Sequence, residues 1–172
     1  PVVSEVKANN TDTDNTESSG VTVTCNIGNG YDAPVNPTSR TARSYTENAT
    51  AIAANDTLTL SDFDSANLTG ATVQITMGLT TGDVLGFTNA NGITGTYDAA
   101  TGKLTLSGSA TVAQYEAALR SVTYSSTSDN PTATSATRTL SWQVNDGAST
   151  NNLINTGTSN INLTALNDDP VG

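Results

Sequence analysis

Carboxylates recur in this chain where short strands would be expected to end. Glu47 stands in "YTEN", and Asp62 and Asp64 form a D-x-D pair in "SDFDSANLTGATV". Asp146 lies in "VNDG", and Asn167, Asp168 and Asp169 run together in "NDDPV". A hard cation such as Ca²⁺ takes about six to eight oxygens at roughly 2.3–2.6 Å, drawn from carboxylates, amide carbonyls and backbone carbonyls. A D-x-D pair at a strand end supplies two of these from one loop. An Asn-Asp-Asp linker supplies more and leaves the remainder to whatever follows, while Pro170 fixes φ and resists bending. Such carboxylates repel one another until a cation arrives, so binding would stiffen the joint.

Each motif by itself is also an ordinary turn, since Asp and Asn favour turns and "NDG" suits a hairpin. Their joint placement at the expected ends of one body favours ligation. A further D-x-D in "DTDN" (12–15) lacks the spaced Gly and closing Glu of an EF-hand loop.

Charge and composition narrow the function classes. With 16 acidic against 6 basic residues and a net charge of −10, no basic stripe exists to hold nucleic acid. Acidity favours cations, or simply keeps a secreted protein soluble. The chain contains no histidine, which removes His-based acid–base chemistry, a Ser-His-Asp triad and His-ligated zinc. Cys25 is the single cysteine, so no internal disulfide can form. Glycoside chemistry would need two carboxylates about 5–10 Å apart in a cleft. An aromatic lining for that cleft is hard to find among two Phe, one Trp and five Tyr, mostly at alternating core positions. The expectation is a protein that is not an enzyme. No segment is long and apolar enough to span a bilayer, and the opening Pro-Val reads as a processed terminus or the edge of a fragment.

The elements that would position the carboxylates are short strands. "GVTVTCNIGNG" (20–30) alternates and predicts a strand near 20–25, followed by a Pro-rich connector at 32–40. Further strands are expected at 44–53, 57–64, 71–77, 84–87, 120–126, 137–147 and 158–168. In these, Val73, Ile75 and Met77 point inward, Trp142 and Val144 share a face, and so do Ile161, Leu163 and Ala165. "ITGTYDAATGKLTLSG" (93–108) predicts a hairpin with Gly102 at positive φ. One helix is expected at 111–119, with Thr111 and Gln114 forming a capping box and Val112, Tyr115, Leu119 and Val122 one apolar stripe. Glu116 and Arg120 read as a minor i,i+4 pair. Tyr97, Tyr115, Tyr124 and Trp142 read as packing residues rather than a sugar platform. The pattern predicts an all-β chain, a β-sandwich with one short helix.

The segments "YTENATAIAANDTLTLSDFDSANLTGATVQIT", "GITGTYDAATGKLTLSGSATVAQYEAALRSVTY", "TRTLSWQVNDGA" and "INLTALNDDPV" together resemble the tandem cadherin-like repeats of giant bacterial extracellular adhesins. The resemblance covers about 44–171. It implies a cadherin/immunoglobulin-like sandwich at 44–172, ending in an inter-repeat linker, with Ca²⁺ near the joints. It places Glu47, Asp62, Asp64, Asp146 and Asp168 where similar repeats carry acidic signatures. Residues 1–43 are then either an insertion with its own strand or the tail of a preceding repeat, whose seam would be "YDAPV" at 31–35. The implied setting is extracellular, at the cell surface, with neighbouring repeats and cell-surface or matrix ligands as partners. The alternative is a subunit of an extracellular filament or sheath assembled by strand exchange.

Overall fold

The computed structural model describes residues 42–62, 65–147 and 153–167. The expected strand near 20–25, the connector at 32–40, Cys25, Asp64, Asp168 and Asp169 lie outside these residues. Nine strands and one helix follow in the order β1 (Arg43–Thr46), β2 (Ile52–Ala53), β3 (Asn67–Met77), β4 (Asp83–Gly86), β5 (Thr94–Asp98), β6 (Lys103–Thr111), α1 (Val112–Arg120), β7 (Thr123–Ser126), β8 (Thr137–Asn145) and β9 (Leu153–Thr164).

The strands form two sheets. The larger runs β1-β9-β8-β3-β6-β5 and the smaller β2-β7-β4. Pairing is antiparallel except that β1 lies parallel to β9. The fold is therefore mostly β with one helix, as the alternation predicts. The β5–β6 hairpin forms as expected, with Gly102 at φ 64°. The capping box forms too: Gln114 N donates to Thr111 Oγ1 at 3.2 Å, and Thr111 N donates to Gln114 Oε1 at 2.9 Å.

One apolar cluster takes side chains from both sheets and the helix, among them Val73, Leu85, Tyr115, Leu119, Tyr124 and Trp142. The aromatic residues read as packing groups do pack: Tyr115, Tyr124 and Trp142 are buried and Tyr97 partly so. Tyr45 of β1 meets Tyr124 of β7 edge to face, with ring centroids 5.1 Å apart. The Tyr45 hydroxyl lies 3.1 Å from the Ser126 carbonyl and accepts from Ser126 N at 3.1 Å, which ties the edge of the larger sheet to the smaller one.

A buried ion pair makes the second tie between sheets. Arg138 of β8 and Asp83 of β4 both have fully buried side chains, with Nε donating to Oδ2 at 2.7 Å. Burying two charges is costly unless their remaining hydrogen-bond capacity is met, and here most of it is. Asp83 also accepts from Thr80 N at 2.8 Å and the Tyr124 hydroxyl at 2.7 Å. Arg138 also donates to the carbonyls of Ser135 at 2.8 Å and Pro131 at 2.7 Å.

Four local expectations are corrected. The run 44–53 is two strands, because the chain turns after Thr46 with Asn48 at φ 60°. Residues 57–62 form no strand of either sheet. Met77 is 63% exposed rather than inward, since a register shift between Ile75 and Met77 breaks the alternation. Ala165 is exposed because β9 ends at Thr164, so Ile161 and Leu163 share their buried face without it.

Two outcomes test this account. Asp83→Asn leaves Arg138 buried without its counter-charge and is expected to cost about 3–5 kcal/mol, while Asp83→Leu with Arg138→Met restores most of the loss. Urea denaturation midpoints of the three chains decide it. Burial, reinforced by the Asp83 carboxylate, holds the Tyr124 phenol well above its ordinary range. The stabilisation linked to that proton is complete below about pH 10 and is lost as pH rises beyond it. Tyr97 and Tyr115 shift the same way, both chiefly through burial. Alkaline unfolding should start near pH 10, and Tyr124→Phe should lessen its slope; a slope unchanged in circular-dichroism titrations would refute the assignment.

Candidate functional site

Glu47 is the least ordinary of the candidate ligands. It follows the last residue of β1, and its N–H donates to the Thr164 carbonyl at 2.9 Å, extending the parallel pairing with β9 by one step. The turn after it (Ala49 N to the Thr46 carbonyl, 3.0 Å) leaves the side chain facing the protein, only 3% exposed. Oε2 accepts from Leu166 N at 2.8 Å, in the segment leaving β9. Oε1 is buried and has no hydrogen-bond partner among the described residues. A buried carboxylate oxygen without a donor is expensive. A water or a cation would relieve it. Asn167, next to Leu166, is exposed, and "NDDPV" continues from it.

Asp62 and Asp146 lie elsewhere. Gly70 of β3 pairs with Asn145 of β8, so the loop entering β3 and the residues leaving β8 share one end of the larger sheet. Thr46 opposite Thr164 and Thr137 opposite Asn162 put Glu47 and Asn167 at the other end. Asp62 is half-buried, with Oδ1 accepting from Ser65 N at 3.2 Å, and Asp146 is 8% exposed. The described candidates thus divide into two: Glu47 with Asn167, and Asp62 with Asp146. Among the described residues no three or more His, Cys, Asp or Glu side chains cluster so as to hold a metal ion.

The entry to the Asp62 loop is set by α1. The Glu116 carboxylate accepts from Leu60 N at 2.9 Å, and Arg120 Nε donates to the Leu58 carbonyl at 2.6 Å. The two side chains pair with each other at 3.0 Å. Together they satisfy one donor and one acceptor of an extended backbone, as a neighbouring strand would. Residues 57–62 alternate like a strand, with Leu58 and Leu60 buried, and form no strand of either sheet. The helix pair read as minor from its spacing therefore holds a loop across more than 50 residues of sequence, 56 from Leu60 to Glu116.

Asp83 was not singled out by its sequence context. Its oxygens are taken by Arg138, Tyr124 and Thr80, which leaves it a structural anion rather than a cation ligand. Only the tertiary contact with Arg138 distinguishes it from the exposed acids. The chain matches no protein-family model, no curated protein and no solved structure. Among the described residues no helix is long and apolar enough to cross a membrane.

Glu116→Leu and Arg120→Met should each lower stability by about 1.5–3 kcal/mol, the range for hydrogen bonds to charged groups, less what their partial exposure screens. The Leu60 amide should exchange with solvent at least tenfold faster in Glu116→Leu, which has no acceptor for it. Unchanged exchange at Leu60 would show that the helix does not hold the loop.

Proposed function

We propose that this chain is a calcium-stiffened structural and adhesive repeat module of a long extracellular surface protein. In this reading its two sheets close as a cadherin/immunoglobulin-like β-sandwich. Glu47, Asp62, Asp64, Asp146, Asn167, Asp168 and Asp169 supply oxygens to Ca²⁺. The module does no chemistry of its own; it contributes length, stiffness and surface.

The observation that carries the reading is the Glu47 carboxylate: buried, bonded through one oxygen to the amide of the exit segment, with the other oxygen unpartnered among the described residues. It joins the end of β1 to the stretch that runs into Asn167. A cation taken up there would bind the body and its linker at once. The division of the acids between two ends supports the same reading. Each end of one module offers an incomplete set, and stacking the exit of one copy on the entry of the next would add Asp62 and Asp146 to Glu47 and Asn167. That arrangement needs no cluster of three acids within a single module.

Thermal melting tests the reading. Millimolar Ca²⁺ should raise the melting temperature of a tandem pair of modules more than that of a single one, and chelator should reverse it. Ligand at about 100 times its dissociation constant stabilises by about 2.7 kcal/mol, a shift of several degrees for a body of this size. Glu47→Gln should abolish most of the shift. A tandem pair whose melting temperature ignores Ca²⁺ would remove the cation from the reading.

A further inference from the structure

The first and last of the described strands lie side by side. β1 forms one edge of the six-stranded sheet, and among the described residues its neighbour there is β9. The two run parallel, with Arg43 opposite Ile161 and Thr46 opposite Thr164. The chain therefore enters the pair at Arg43 and leaves it past Thr164, at opposite ends. A pull on the chain from both sides draws β1 toward its start and β9 toward its end. The strands are then loaded along their length in opposite directions, and every bond between them shares the load. An antiparallel pair would be loaded from one end, and its bonds would open one at a time.

We infer that the β1–β9 pair is a tension clamp: it resists a pull along the chain in shear and sets the force at which the body opens. The bond from Glu47 N to the Thr164 carbonyl shows which edge of β1 faces β9. By the period of two, Tyr45 and Arg43 turn the same edge to β9, while Ser44 and Thr46 turn theirs away. Side chains lock the register. The Tyr45 ring is 1% exposed and seated against Tyr124, and its hydroxyl accepts from Ser126 N. Sliding β1 along β9 would draw that ring out of the core. Arg43 pairs with Asp56 at the start of the strand, and Glu47 Oε2 holds Leu166 N just past its end. β9 is gripped on its other side by β8, from Leu153 opposite Asn145 to Asn162 opposite Thr137. β1 is four residues long, so it is the strand that yields. Its loss takes the edge-to-face partner from Tyr124, and the core opens behind it.

The clamp rests on the reading above only for the source of the tension, and its geometry needs no cation. Single-molecule pulling of the full chain in chelator tests it, on a Cys25→Ser background with cysteine handles. Handles at Ala42→Cys and Ala165→Cys load β1 and β9 in shear. Handles at Ala49→Cys and Ala165→Cys stand past the same end of the pair and peel it. Forced opening reports the barrier crossed, so at equal loading rate the shear pair should open at about twice the force of the peeling pair or more. Arg43→Pro should open at a lower shear force than Arg43→Ala, because only proline removes an amide that faces β9. Ser44→Pro removes an amide that faces away and should leave the shear force unchanged. Equal forces from the two handle pairs would overturn the inference, as would a Ser44→Pro chain weakened as much as Arg43→Pro. The handle comparison uses no proline variant, so it decides the matter even if Arg43→Pro folds poorly. Neither geometry involves Ca²⁺, so a failure here leaves the melting response to the cation standing, and the two readings fail separately.

Discussion

The contact between Arg138 and Asp83 is the constraint around which the two sheets are arranged. A guanidinium and a carboxylate with fully buried side chains must face each other, because neither can be left without the other in a low-dielectric interior. Arg138 belongs to the six-stranded sheet and Asp83 to the three-stranded one, so meeting that requirement sets how β4 lies against the start of β8. Tyr124 and Thr80 complete the hydrogen-bond capacity of Asp83, and the carbonyls of Pro131 and Ser135 take two further donors of Arg138. The loop before β8 is drawn into the same network. Hydrophobic burial would permit many relative placements of two sheets; the geometry of this pair admits few.

A second substitution of side chain for backbone partner occurs on α1. The segment around Leu58 and Leu60 has the alternation of a strand and buries the residues a strand would bury. Its Leu60 amide and Leu58 carbonyl are met by the side chains of Glu116 and Arg120, as a neighbouring strand would meet them. Local periodicity cannot distinguish these cases, because burial on one face is the same in both. The i,i+4 spacing showed that the two charges could pair, but not that both would also reach a chain more than 50 residues away.

The candidate ligands follow a similar logic. Their residue types and positions near strand ends were legible in "YTEN", "SDFD", "VNDG" and "NDDPV". What was not legible was their division between opposite ends of the larger sheet, which depends on the parallel pairing of β1 with β9 and the antiparallel pairing of β3 with β8. Nor did the motif distinguish Glu47 from the others; its burial and its bond to Leu166 arise from the turn after β1 and the path of the chain leaving β9.

Alternation and turn residues by themselves determined the strand-rich character, the β5–β6 hairpin and the helix with its capping box. Each of these is decided by contacts within a dozen residues or so, which a linear pattern records. Tertiary structure alone decided the order of strands in the sheets, the outward turn of Met77 at a register shift, and the roles of Asp83, Arg138, Glu116 and Arg120. Those outcomes depend on which distant groups satisfy a buried charge or an unpaired amide. No residue carries that information in its immediate neighbours.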